Sequence, residues 1–130
     1  MKNSDILFLY DAKLTNPNGD IDEENRPRMD YERSLNLVSD VRLKRYIRDY
    51  LEQIGYEIFV GKVDGTTVNA TKRIEELFKN YEGKVKNTKK LTAEEQDWML
   101  DQLIDVRLFG ATMPIQSEGK GGSMAFTGAV

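Results

Sequence analysis

At 130 residues, with a net charge of -3, no cysteine and no histidine, the chain fits one domain able to bury about two thirds of its extended surface. The missing residue types exclude a disulfide framework, thiolate chemistry and the usual imidazole base or metal ligand, and with them most hydrolase templates. An acidic balance argues against a general nucleic-acid binder, so any nucleic-acid contact is local.

The apolar run Ile6-Leu7-Phe8-Leu9-Tyr10 is short and bounded by polar residues, which predicts a strand over 5–14 in a central sheet position. It is interrupted too soon by Asp11 and Lys13 to be a signal-peptide core, and no apolar run approaches a membrane span. The expectation is a cytoplasmic protein with no membrane partner. Asn16-Pro17-Asn18-Gly19-Asp20 is turn chemistry, and it opens a polar loop spanning 14–34. A calcium loop starting at Asp20 fails, because Asn25 stands where glycine is required and Tyr31 where a bidentate glutamate is required. Asp20, Asp22, Glu23 and Glu24 have no nucleophile or imidazole beside them, and they read as a solvated loop.

A helix is expected next. Ser39 is a good N-cap, Asp40 suits the positive end of the helix dipole, and Gly55 suits the C-cap. At about 100° per residue, Leu43, Ile47, Tyr50, Leu51 and Ile54 share one arc, a predicted core face. Arg42, Lys44, Arg45 and Arg48 occupy the opposite arc. These four cations fit an anionic partner, and they equally fit a solvated surface; charge alone leaves both open.

Beyond the helix, Tyr56 to Val63 reads as a second strand closed by a turn at Asp64-Gly65, and Val68 to Tyr81 as a helix. A lysine-rich linker over 83–91, with Lys84, Lys86, Lys89 and Lys90, follows as solvated chain. Thr92 and Glu95 have capping-box spacing, which starts a third helix with Met99, Leu103 and Val106 inward and Gly110 as its stop. The segment 111–130 alternates strand-like pieces such as Met124 to Phe126 with Gly119, Gly121, Gly122 and Gly128. It contains no phosphate loop, since Pro114 replaces the first glycine and Gly121 the hydroxyl residue after Lys120. The order predicts an α+β fold, a single partial domain over 1–130 with an open sheet edge. No cofactor, metal or enzymatic activity is expected.

RNA suits the remaining chemistry. Arginines and lysines on one helix face track a phosphate backbone, Asn16, Asn18 and Ser39 donate to phosphate or ribose, and Gly121 and Gly122 admit close backbone approach.

Phe8-Leu9-Tyr10-Asp11-Ala12-Lys13, Asn16 to Asp20, Arg26-Pro27, Val38 to Asp49 and Asp105-Val106-Arg107-Leu108-Phe109-Gly110-Ala111 together resemble the Cas-seven backbone family of CRISPR interference complexes, most closely its type I-B branch. The resemblance implies a truncated ferredoxin-like, RNA-recognition-type palm and a binding protein that polymerises along CRISPR RNA in Cascade without cleaving it. It implies RNA contacts at Asn16, Asn18, Arg26, Ser39, Arg42, Lys44, Arg45, Gly121, Gly122 and Ser123. Its partners would be backbone and neighbouring Cascade subunits, CRISPR RNA and further copies of itself. Family members are longer than this chain. The favoured expectation is therefore a truncated backbone mimic, an anti-CRISPR inhibitor of Cascade assembly or target-DNA binding. The alternative is the N-terminal part of a genuine CRISPR RNA-binding backbone subunit acting in antiviral defence.

Overall fold

The structure is a computed structural model that describes residues 7–63, 65–83, 87–117 and 123–128. It mixes helices with short two-stranded ladders, an α+β arrangement. The described residues divide into two compact units, one spanning 7–49 and one from residue 50 onward.

The first unit is built on two hairpins where the polar loop was expected. Strand β1 (Gly19–Asp20) pairs antiparallel with β2 (Arg26–Pro27), in the register Gly19 with Pro27 and Asp20 with Arg26. Between them lies a 3-10 turn, Ile21–Glu23, capped by Asp20, whose Oδ1 accepts the Asp22 N–H at 3.2 Å. A Cβ at Gly19 would come within 1.9 Å of Asn25 Oδ1, so any other residue there displaces the Asn25 side chain. Strand β3 (Met29–Asp30) pairs with β4 (Leu35–Asn36), and Asp30 Oδ1 accepts from the Glu32 and Arg33 amides across the turn. Such local side-chain acceptors let a polar sequence form turns without an apolar period.

Residues 7–14 form no strand, contrary to expectation. Leu7 is 85% and Leu9 80% exposed, and no strand among the described residues pairs with this run. Apolar composition makes a segment competent for a sheet, but only a partner's ladder makes it a strand.

Helix α1 (Asp40–Gln53) follows the sequence reading closely. Ser39 Oγ accepts the Arg42 N–H at 3.3 Å, and Gly55 adopts φ +94° just past the end. Its predicted core face is not buried, however. Leu43, Ile47 and Leu51 are half-buried, and Tyr50 is 61% exposed. Periodicity selects the face that would be buried without supplying a surface to cover it.

The second unit has the apolar core. Strand β5 (Lys62–Val63) turns through Gly65 into β6 (Thr66–Thr67), and α2 (Ala70–Phe78) starts at Asn69, whose Oδ1 accepts the Lys72 N–H at 2.8 Å. Strand β7 (Lys90–Leu91) emerges from the end of the predicted lysine-rich linker. Helix α3 (Ala93–Gln102) begins at Thr92 with both halves of the capping box present. The single long helix expected here is interrupted at Leu103 (φ -98°, ψ 87°), and α4 (Ile104–Phe109) continues to Gly110. Met99, Leu103 and Val106 nevertheless all sink into the core as expected, where each is at most 2% exposed.

Strand β8 (Ala111–Met113) pairs antiparallel with β10 (Met124–Phe126), as Met113 with Met124 and Ala111 with Phe126. Strand β9 (Gln116–Ser117) pairs parallel with β7. Ile74, Leu77, Phe78, Leu91, Met99, Leu103, Val106, Met113 and Ile115 form one cluster, edged by the mutually tilted rings of Tyr81 and Trp98.

The strand expected over Tyr56 to Val63 shrinks to its last two residues. The buried Asp105 carboxylate accepts the amides of Phe59 at 2.7 Å and Val60 at 3.1 Å, and the buried Arg73 donates to the Ile58 carbonyl. Side chains thus satisfy backbone groups that a neighbouring strand would otherwise satisfy.

Candidate nucleic-acid interface

The segment ahead of β1 and the first turns of α1 are joined through one amide side chain. Asn18 is 7% exposed, and its Oδ1 accepts both the Ser39 amide at 3.2 Å and the Ser39 hydroxyl at 3.1 Å. Ser39 in turn caps α1, so a single chain of hydrogen bonds ties the turn at 16–20 to the helix start. Asn16 lies beside it, exposed, with its Nδ2 donating to the Asn25 carbonyl at 2.6 Å. Arg28 closes the first hairpin through Asp20 at 3.1 Å, and Arg26 reaches Glu24 at 3.3 Å.

The cations of α1 are not equivalent. Lys44 pairs with Asp40 at 3.2 Å, and Arg45 chelates Asp49, both at i,i+4 spacing. The Lys44 ammonium, with the Val41 amide, holds the exposed Asp40 carboxyl below its ordinary value. Arg42 is exposed and engages uncharged groups: its Cζ sits 4.7 Å from the Tyr46 ring centroid, and its Nε donates to the Tyr46 hydroxyl at 3.1 Å and the Pro17 carbonyl at 3.3 Å. Tyr46 also donates its hydroxyl proton to Pro17 O.

Seven of the predicted RNA-contacting residues, Asn16, Asn18, Arg26, Ser39, Arg42, Lys44 and Arg45, therefore lie in the first unit. Ser123 is exposed in the second unit, and Gly121 and Gly122 lie outside the described residues, as do Lys84 and Lys86. Tyr46 and the Pro17 carbonyl were not singled out from the sequence. The i,i+4 spacing of Arg42 and Tyr46 was the available signal, since residues so spaced are neighbours on a helix.

The second unit contains a cavity of about 480 Å³ between α3, α4 and β10. Its lining sets Asp97 and Asp101 beside Arg107, a mixed-sign wall ill-suited to a polyanion. Among the described residues no group of histidine, cysteine, aspartate and glutamate is arranged to hold a metal ion. No helix among them is long and apolar enough to cross a membrane.

An α+β chain with an exposed basic helix start, keyed to a turn by Asn18, is thus the frame that the comparisons complete. A family model described as CRISPR-associated protein Cas7 matches residues 2–130. A CRISPR-associated protein Cas7 from Haloferax volcanii is 37% identical over 132 aligned positions, covering all of this chain and 38% of that relative's length. The chain belongs to the Cas7 family.

Proposed function

We propose that this chain is part of a Cascade backbone subunit of a type I-B CRISPR interference complex, acting in antiviral defence by binding CRISPR RNA. In this reading the polypeptide is a portion of a ferredoxin-like palm, its partners are other Cascade subunits, and it binds RNA without cleaving it. The observation that carries it is the exposed Arg42 and its neighbours at the start of α1, held against the turn at 16–20 by the Asn18–Ser39 hydrogen bonds. A helix start fixed in this way is suited to phosphate, through charge and through donors at its N-terminal end. The family match along the whole chain supports the Cascade assignment.

The truncated-mimic reading is set aside. It rested on where the chain stops, whereas the matches run the length of the chain to CRISPR-associated proteins. Of the two expectations, the genuine backbone subunit fits better.

The test is co-expression of the chain with the remaining type I-B subunits and a CRISPR RNA, followed by purification. A backbone role requires co-purification with the CRISPR RNA and the other subunits; a chain that associates with those subunits and excludes CRISPR RNA from them would revive the inhibitor reading and overturn this one. Replacing Arg42, Lys44 and Arg45 together with alanine is expected to weaken RNA binding and to reduce its log–log salt slope by up to about 2, at roughly 0.7 per phosphate contact on a single strand.

A further inference from the structure

Arg42 stands apart from Lys44 and Arg45 in one chemical respect. Those two cations are matched by Asp40 and Asp49, so their net attraction for a polyanion is partly cancelled at short range. Arg42 has no carboxylate partner among the described residues, and its contacts are a tyrosine ring, a tyrosine hydroxyl and a peptide carbonyl. All of its hydrogen bonds there go through Nε. Its two terminal nitrogens, which form the fork that grips a phosphate by two parallel hydrogen bonds, have no partner among the described residues.

Tyr46 supplies two of the three contacts that fix the guanidinium. Its ring lies beneath Cζ, its hydroxyl oxygen accepts from Nε, and that hydroxyl also donates to the carbonyl that receives Nε. A tyrosine adds no charge, so its effect on an anion acts through Arg42. We infer that Tyr46 is a positioning residue that holds Arg42 by its Nε and so presents the terminal fork to a phosphate group of RNA. The inference rests on the RNA-binding reading above and narrows it: Arg42 is the dominant phosphate contact of α1, and Tyr46 sets its orientation. Holding a long, flexible side chain in its bound conformation in advance lowers the ordering cost of association, which strengthens binding without a new contact.

The experiment is fluorescence anisotropy of the 130-residue chain with a labelled single-stranded RNA oligonucleotide across several salt concentrations. Arg42→Ala is expected to weaken binding about tenfold and to lower the log–log salt slope by about 0.7, the signature of one lost phosphate contact. Tyr46→Ala is expected to weaken binding roughly fivefold at unchanged slope, since the charge remains but is no longer pre-ordered. In the Arg42→Ala background the same Tyr46 substitution is expected to cost nothing further, the coupling that a double-mutant cycle isolates. Tyr46→Phe keeps the ring under the guanidinium but removes the hydroxyl that accepts from Nε, so it is expected to weaken binding about twofold with no further cost in the Arg42→Ala background. It carries the test if the alanine variant loses helix by circular dichroism, and equal Tyr46→Phe losses in both backgrounds, or none, then overturn the positioning role. Equal losses from Tyr46→Ala with and without Arg42, or no loss at all, overturn the positioning role while leaving RNA binding intact. A parent chain with no salt-sensitive RNA binding overturns the RNA reading itself, and this inference with it.

Discussion

Asp105, at 1% exposure, does for residues 59 and 60 what a neighbouring strand does elsewhere, taking both backbone amides on one carboxylate. Removing it takes the acceptor from two part-buried amides. Asp105→Ala is expected to cost about 3 kcal/mol in urea unfolding, and Asp105→Asn, which keeps one acceptor oxygen, distinctly less. Asp40 makes a different kind of prediction, because its ammonium partner, Lys44, holds the carboxyl below the ordinary 3.8. A carboxyl lowered on folding is protonated less in the native chain than in the unfolded one. Its stabilising contribution is therefore present above the unfolded value and disappears as pH falls through the folded one. Helicity at 222 nm followed from pH 6 to pH 2 should show an acid limb below about pH 4, and that limb should flatten in Asp40→Asn. The same variant removes one negative charge beside Lys44 and is expected to bind RNA more tightly at low salt, an effect that vanishes as salt screens exposed charges.

The helices can be read from local chemistry because their ends are set within a few residues. Thr92 and Glu95 satisfy each other's orphan amides at the start of α3, and Thr92→Ala is expected to cost about 1 kcal/mol in thermal or urea unfolding. Ser39, Asn69 and Gly110 mark helix boundaries in the same local way. Strands were legible only where a partner is close in space. Met124 to Phe126 found β8, whereas the equally apolar Leu7 to Tyr10 found nothing among the described residues, and Ile58 to Val60 was claimed by Asp105 and Arg73. Of the candidate interface, the charge of Arg42, Lys44 and Arg45 was visible in the sequence. Its division into two carboxylate-matched cations and one held by Tyr46 rests on i,i+4 spacings that the charge pattern alone did not sort, and only the Pro17 carbonyl lies far away in sequence. Asn18 was read as a donor to RNA, but its burial and its bonds to Ser39 give it an internal role.

The two units are held by different forces. The second closes over a continuous apolar cluster. In the first, Asn18 is the only buried residue among those described, so its cohesion comes from hydrogen bonds and short ladders. Burial of apolar area is the larger stabilising term in folding, and the units should differ accordingly in their opening free energies. Native-state hydrogen exchange is expected to show slow amides in α3 and α4 and fast ones over the hairpins at 19–36. Asn18→Ala should speed that exchange further and weaken RNA binding although the residue is itself shielded from solvent; unchanged exchange would refute its role in joining turn to helix.

The parallel pairing of β7 with β9 aligns Lys90 with Gln116 and Leu91 with Ser117, enclosing α3, α4 and β8 between the paired strands. No tight turn makes that connection, so the ladder gains nothing until the intervening helices have compacted and brought its ends together. The feature therefore orders events in time. Helical amides of α3 are expected to acquire protection early in refolding, on local contacts alone, and the Gln116 amide, bonded to the Lys89 carbonyl at 2.9 Å, late. Pulse-labelled exchange during refolding would resolve the two, and mutations at the β7–β9 seam should change the unfolding rate more than the folding rate.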